Sequence, residues 1–337
     1  MTQFTSYLTE EVIEDYSDGL IGRREALRRL GLLGLAFTVA GPLLAACDAA
    51  NTASTKANPT GGTATTPAGT SAGPSNSAPA GTTGSSPAGP SPLPTESVTF
   101  QSPDGRTVQG AWAAADQPRG AVLVVHENRG LTDHIRSVAG RLAASGYCAL
   151  AVDLLSEEGG TASFPGEAEV TAALNKVPDS RFVADMKAAI GELARRVPGV
   201  KIGAVGFCFG GGMVWTLLAA GEPRLAAAAP FYGPFPDGAD LTGSPNVAVL
   251  GIYAEQDERV NASRDAATTA LETAGLVHEI VTFPNAGHAF FNDTGQRYSP
   301  TAARRPTNNS PTGSGPTSAE RVGREGSSDV SRRRTHP

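Results

Sequence analysis

The sequence predicts an α/β fold, a mostly parallel, doubly wound sheet with helices on both faces, confined to residues 93–298 of 337. Residues 121–125 and 147–152 are short, uncharged apolar runs, as strands buried on both faces are. Between such runs lie segments with apolar residues at helical spacing, and that alternation requires crossover connections and parallel pairing. Outside 93–298 neither pattern persists.

Along the block, residues 97–100 and 108–113 read as strands around the turn Ser102-Pro103-Asp104-Gly105. After the strand at 121–125, Ile135, Val138, Ala139, Leu142 and Ala143 mark a helix that Gly146 closes. A second buried strand follows at 147–152. Ser180 is placed to cap a helix running to Arg196, with Phe182, Met186, Ile190 and Leu193 on one face. Residues 201–205, 226–232, 247–253 and 277–283 supply further strands, with helices after Cys208 and over 262–274. Ligands of such sheets collect beyond the carboxyl ends of the strands, so the chemistry belongs in the loops that follow them.

The flanks are of another kind. Arg23-Arg24-Glu25-Ala26-Leu27 precedes an uncharged run over 30–46 that is interrupted by Gly31, Gly34, Gly41 and Pro42. A permanent span takes about 20 strongly apolar residues, so this run is weak for one. A paired arginine before a modest apolar stretch resembles a twin-arginine export signal, and Leu44-Ala45-Ala46-Cys47 resembles a lipobox. That resemblance implies cleavage before Cys47, lipidation of its sulfur, and a protein folded before export that ends up secreted or anchored to the cell envelope. The same residues also suit an ordinary amphipathic N-terminal helix with solvated arginines and an idle thiol. Residues 48–92 are Thr, Ser, Ala, Gly and Pro with few apolar side chains, and read as a disordered linker. A flexible coil of that length spans about 35–40 Å.

Residues 299–337 carry seven arginines against three acids, have no apolar period, and read as a disordered basic tail. A shifted reading frame in a GC-rich gene gives such a composition; a natural tail for an anionic surface is the other reading. The net charge of the whole chain is −6, and the block over 93–298 is its most acidic part. No Lys/Arg-dominated domain is present to neutralise phosphates, which excludes a nucleic-acid partner. Three cysteines exclude a disulfide framework. A monomer acting on a small molecule is expected.

Gly206-Phe207-Cys208-Phe209-Gly210, between a strand and an apolar helix, has the Gly-x-nucleophile-x-Gly form of a nucleophile elbow. Its glycines let the backbone turn sharply, and a helix N-terminus favours a thiolate. The same pattern also suits a small-residue turn around an inert cysteine. Asp257 follows one strand and His288 the next, in the chain order of α/β-hydrolase triads. Cys208 would attack a carbonyl, His288 would carry the proton, and Asp257 would orient the imidazole. The loop His126-Glu127-Asn128-Arg129-Gly130 follows the strand at 121–125, where an oxyanion hole takes one of its backbone N–H groups. The donors would be Asn128 and Phe209.

These residues, with Ala286-Gly287-His288-Ala289-Phe290, resemble the dienelactone hydrolase (carboxymethylenebutenolidase) family over residues 95–298. The resemblance implies the α/β-hydrolase fold, hydrolysis of an ester or enol-lactone through an acyl-cysteine, no cofactor, and a Glu127 that pairs with the resting thiol. Two departures stand out. Members specific for dienelactones place an arginine four residues beyond the catalytic histidine, where this chain has Asn292; Arg129 or Arg259 are candidate substitutes. Members also continue past this region into a covering amphipathic helix, which 299–337 lacks.

Other readings weigh less. His126, His134 and Cys148 lack zinc-ligand spacing, so no metal is expected, and Cys148 reads as core. Gly210-Gly211-Gly212 is not a dinucleotide fingerprint. A non-catalytic binding lipoprotein on the same fold is the alternative from another class. A redox role for Cys208 has no nearby resolving cysteine.

Overall fold

A computed structural model describes residues 3–35, 44 and 89–304. Cys47, most of the 48–92 segment and residues 305–337 lie outside the described residues, and with them the expected lipidation of Cys47, the expected linker and nearly all of the expected tail.

Eight strands form one sheet in the order β1-β2-β4-β3-β5-β6-β7-β8. They are β1 (Glu96–Gln101), β2 (Thr107–Ala113), β3 (Ala121–Val125), β4 (Cys148–Asp153), β5 (Ile202–Phe207), β6 (Leu225–Phe231), β7 (Ala248–Ala254) and β8 (His278–Phe283). The pairs β1–β2 and β2–β4 are antiparallel; every other pair is parallel. The mostly parallel sheet is therefore present, with an antiparallel hairpin at one edge. Every residue of β4 is buried, and β3 is buried at all positions except a partly covered Val122. Helices on both faces leave such central strands no polar side, and their all-apolar runs follow from that.

The helices are α1 (Gln3–Ser17), α2 (Arg23–Leu32), α3 (Asp133–Ala144), α4 (Glu167–Leu174), α5 (Asp179–Arg196), α6 (Phe209–Ala219), α7 (Glu258–Asn261), α8 (Arg264–Thr273) and α9 (Pro300–Ala303). In α5 the stripe Phe182, Met186, Ile190 and Leu193 is buried, as its spacing predicts. Ser180 does not cap that helix; Pro178 occupies the N-cap position and Ser180 lies inside the first turn. The segment α4 has no counterpart in the sequence reading. Its Ala-rich sequence has no clear apolar stripe, and tertiary packing buries Val170 and Leu174.

The largest departure is at the N-terminus. Residues 3–32 fold into two helices that pack on the α/β block as part of the same compact unit. Tyr7, Leu8, Val12, Ala26 and Leu30 are buried in the common core. Among the described residues, no helix is long and apolar enough to cross a membrane. At the other end α9 adds one turn inside the segment read as tail, with Ala302 buried.

Candidate active site

Strand β5 ends at Phe207, helix α6 begins at Phe209, and Cys208 alone makes the turn, with φ 56° and ψ −121°. That is a strained conformation for a residue with a Cβ, and surrounding packing must hold it. Two glycines make it possible. A Cβ on Gly206 would fall on the Gly210 carbonyl, and one on Gly210 would fall on the carbonyls of Val125 and His126. The helix N-terminus thus packs directly on the end of β3. The Cys208 N–H donates to the Phe231 carbonyl at 3.1 Å, which fixes the elbow against β6.

Asp257 and His288 arrive from the ends of β7 and β8. His288 Nδ1 lies 2.6 Å from Asp257 Oδ2, while Asp257 Oδ1 accepts the Val260 N–H at 3.2 Å as N-cap of α7. The Nε2 side of the ring faces Cys208. Exposure is 2% for Cys208 and 1% each for His288 and Asp257. Burial disfavours charge on the imidazole, but the Asp257 carboxylate and the neighbouring sulfur lift its pKa well above the usual value. Burial likewise opposes the Asp257 carboxylate, and the contact with His288 wins, holding Asp257 below its ordinary range. Tyr232 packs edge-on against the imidazole with ring centres 5.2 Å apart, which restricts its rotation. The structure therefore brings together the three residues that the sequence singled out across 80 positions.

The loop after β3 forms another wall. Asn128 and Arg129 line the small cavity at Cys208, and Phe209 opens α6 beside it, its ring buried against Phe182 and His126. Glu127 does not pair with the thiol as the resemblance implied. Its Oε2 accepts the Asn292 side-chain amide at 2.7 Å, and its Oε1 has no hydrogen-bond partner among the described residues. Burial pushes the Glu127 carboxyl up to about 7. Asn292 is thus committed to Glu127. His126 bonds backbone groups of Glu127 and Leu154, and His134 bonds Asp293, so both are held structurally. Cys148 is buried in β4.

The place beside the sulfur belongs instead to α1, which sequence reasoning missed. Glu11 Oε1 and Oε2 lie 3.5 and 3.6 Å from Cys208 Sγ. Tyr7 Oη lies 3.3 Å from Sγ and 3.5 Å from His288 Nε2. Burial, then the Glu11 carboxylate, push the Cys208 thiol up, and His288 only partly opposes them. Arg259 covers the Tyr7 ring at 4.2 Å and donates to the Tyr7 carbonyl and the Glu14 carboxylate, both at 3.2 Å. The available signal was Tyr7, Leu8, Glu11, Val12 and Asp15, one helical face ahead of the arginine pair. Glu11, Cys208 and His288 also offer ligand atoms within 4.8 Å of one another, a donor set suited to zinc; here these atoms engage one another and Tyr7.

A family model described as "Dienelactone hydrolase family" matches residues 108–310. A protein of Escherichia coli K12 named "Putative carboxymethylenebutenolidase" is 33% identical over 232 residues, covering 60% of this chain and 85% of that one. One of the same name from Saccharolobus solfataricus is 28% identical over 242 residues, covering 62% and 93%. The crystal structure named for a putative dienelactone hydrolase of Klebsiella pneumoniae has a TM-score of 0.54 at 28% identity, covering 63% of this chain and 95% of that one.

Proposed function

The chain belongs to the dienelactone hydrolase family and is on that ground an ester or lactone hydrolase, and we propose that it works through an acyl-cysteine formed on Cys208. His288 Nε2 takes the thiol proton as Sγ attacks the carbonyl carbon. The oxyanion of the tetrahedral intermediate is received by the backbone N–H groups of Phe209 and Asn128. The C–O bond breaks, His288 returns the proton to the leaving oxygen, and Cys208 is left acylated. Water then attacks the thioester, again through His288, releasing the acid and the thiol. Asp257 fixes the imidazole and stabilises it while it carries the proton.

One observation carries this reading: a cysteine on a strained strand-to-helix turn faces an imidazole whose far nitrogen lies 2.6 Å from a buried carboxylate. An inert core cysteine has no need of that geometry. Glu127, uncharged through part of the neutral range, lies near enough to the sulfur to oppose thiolate. Asn292 puts an amide where dienelactone-specific members place an arginine, while Arg129 lines the cavity, so a neutral ester or lactone and a carboxylated one both suit the site.

The test is p-nitrophenyl acetate and an enol-lactone given to wild type, Cys208→Ala and His288→Ala, with mass spectrometry of quenched reactions. The expected result is an acyl adduct on Cys208 and turnover lost in both variants; equal rates in wild type and Cys208→Ala would reject it. Export and a lipid anchor on Cys47 belong to the same proposal, supported by the Arg23-Arg24 pair and the run ending in Ala46-Cys47. Metabolic labelling with an alkyne fatty acid, lost in Cys47→Ser, checks the anchor.

A further inference from the structure

We propose that residues 3–35 are an intramolecular plug: seated, they bar the pocket to ester substrates, and Cys208 turns over only when they leave. The inference rests on the hydrolase reading above.

Three features of the site carry it. Tyr7 Oη touches both nucleophile and base, 3.3 Å from one and 3.5 Å from the other, on the side from which a substrate would reach them. A reacting carbonyl must approach Sγ to about 3–3.5 Å, so it and Tyr7 compete for one place. The Glu11 carboxylate crowds the same sulfur and opposes thiolate. The cavity left at Cys208 is about 40 Å³. Pockets that take small organic ligands run from about 300 to 1,000 Å³, so with the helix seated there is room for water and none for an ester.

The attachment is of a kind that can be undone. Arg259 bonds the Tyr7 carbonyl and Glu14, and Arg297 bonds Asp15 at 2.7 Å and Asp18 at 2.7 Å. Helix α2 adds Arg28 to Glu169. Arg28 and Asp18 are nearly half exposed, and ion pairs of that kind contribute about 0–1 kcal/mol each, whereas the Arg297–Asp15 pair is the buried, firmer point of the strap. The plug also lies wholly ahead of Cys47. A cut there, as the lipobox-like run suggests, would separate it from the hydrolase, linking release to export.

The experiment uses the full chain with a protease recognition sequence placed within 61–88, and in parallel the triple variant Glu14→Lys/Asp15→Lys/Asp18→Lys. None of those three residues touches Cys208 or His288. Iodoacetamide labelling of Cys208, read by peptide mass spectrometry, measures opening without reference to hydrolysis. Cleavage followed by removal of the released segment, and the triple variant, are each expected to raise labelling and p-nitrophenyl acetate kcat/KM about tenfold or more, as a site rarely open predicts. A peptide of residues 1–35 added back to the cut protein is expected to inhibit, and its Tyr7→Ala version to inhibit less. Unchanged labelling, or hydrolysis that falls after the cut and returns with the peptide, overturns the plug; the second result makes the segment part of the catalytic site. Labelling that rises with no acyl-Cys208 in any form keeps the plug and sinks the hydrolase reading. Thermal melts of both proteins confirm that the block stays folded.

Discussion

The elbow at Cys208 and the two helices laid over it are held by opposite means. At the elbow, backbone packs on backbone: Gly206, Gly210 and Val125 meet with no space for a methyl group, and the strained cysteine is clamped by a ladder hydrogen bond to β6. Over it, α1 and α2 rest on apolar side chains and on long arginines reaching carboxylates that range from the buried Asp15 to the half-exposed Asp18. The first arrangement tolerates no change of shape, whereas the second tolerates separation. Catalysis needs a site positioned to within tenths of an ångström, and regulation needs a contact that lets go. This chain puts the two demands in different parts of the molecule.

The sharpest break in that comparison is chemical. Cys208→Ala and His288→Ala each lower kcat/KM by about 10³-fold or more, and the double variant is little worse, because the two residues act as one unit. Tyr7→Phe touches the same sulfur from the other region, and is expected to leave the rate unchanged or raise it. A loss with Tyr7→Phe comparable to that of His288→Ala would move the catalytic machinery into α1 and erase the distinction.

One substitution made in both regions sharpens it further. Gly210→Ala drives a Cβ into the Val125 and His126 carbonyls, and is expected to destabilise the block by about 3 kcal/mol or more, read as a drop in the urea midpoint. Gly31→Ala in α2 meets nothing within 4 Å and keeps helical backbone, so it stabilises that helix by about 0.5–1 kcal/mol. Its readout is slower labelling of Cys208.

How much of this was legible in the sequence divides along the same line. All eight strands and the elbow could be read because the information is local: apolar runs of five or six residues, and glycines flanking a cysteine at fixed spacing. Asp257 and His288 were legible because a parallel sheet delivers the ends of successive strands to one rim. What stayed hidden depends on contacts between distant segments. Glu11 and Tyr7 are 197 and 281 positions away from the atoms they touch, and nothing in Tyr7-Leu8-Thr9-Glu10-Glu11 names a partner. The family resemblance alone assigns Glu127 to the thiol; whether its carboxylate turns to Cys208 or to Asn292 is a rotamer choice settled by the neighbours.

Glu127 gives a pH test inside the catalytic block. Its carboxyl, near 4.5 when free, stands at about 7 in the fold, so the folded state holds the proton more tightly. Stability is therefore undiminished below pH 4.5, declines as pH rises from 4.5 to 7, and carries the full penalty above 7. Glu127→Gln keeps an oxygen for the Asn292 amide and carries no charge. Its stability gain is expected to be near zero at pH 4 and about 3 kcal/mol at pH 8, measured by urea titration at both. A gain independent of pH would mean that Glu127 is not buried uncharged.

Salt is the gentlest probe, and it acts on the strap. Arg297 is about one-sixth exposed at its side chain and Asp18 nearly half, while Glu14 opposite Arg259 is about one-quarter exposed. Screening at about 0.5 M salt, where the Debye length falls to roughly 4 Å, weakens such pairs while leaving buried apolar contacts slightly strengthened. The two effects oppose each other at Leu8, Val12 and Leu30, so the net loosening is modest, about 0.5–1 kcal/mol. Raising sodium chloride from about 0.05 to 0.5 M is expected to speed labelling of Cys208 about two- to fivefold, with the urea midpoint of the block nearly unmoved. The Glu14→Lys/Asp15→Lys/Asp18→Lys chain, left with only the Arg28–Glu169 pair to screen, should show a much smaller rise. If wild type labels more slowly in high salt, the apolar contacts hold the plug and the arginines are incidental, and the division between a rigid site and a charge-latched cover fails at its second half.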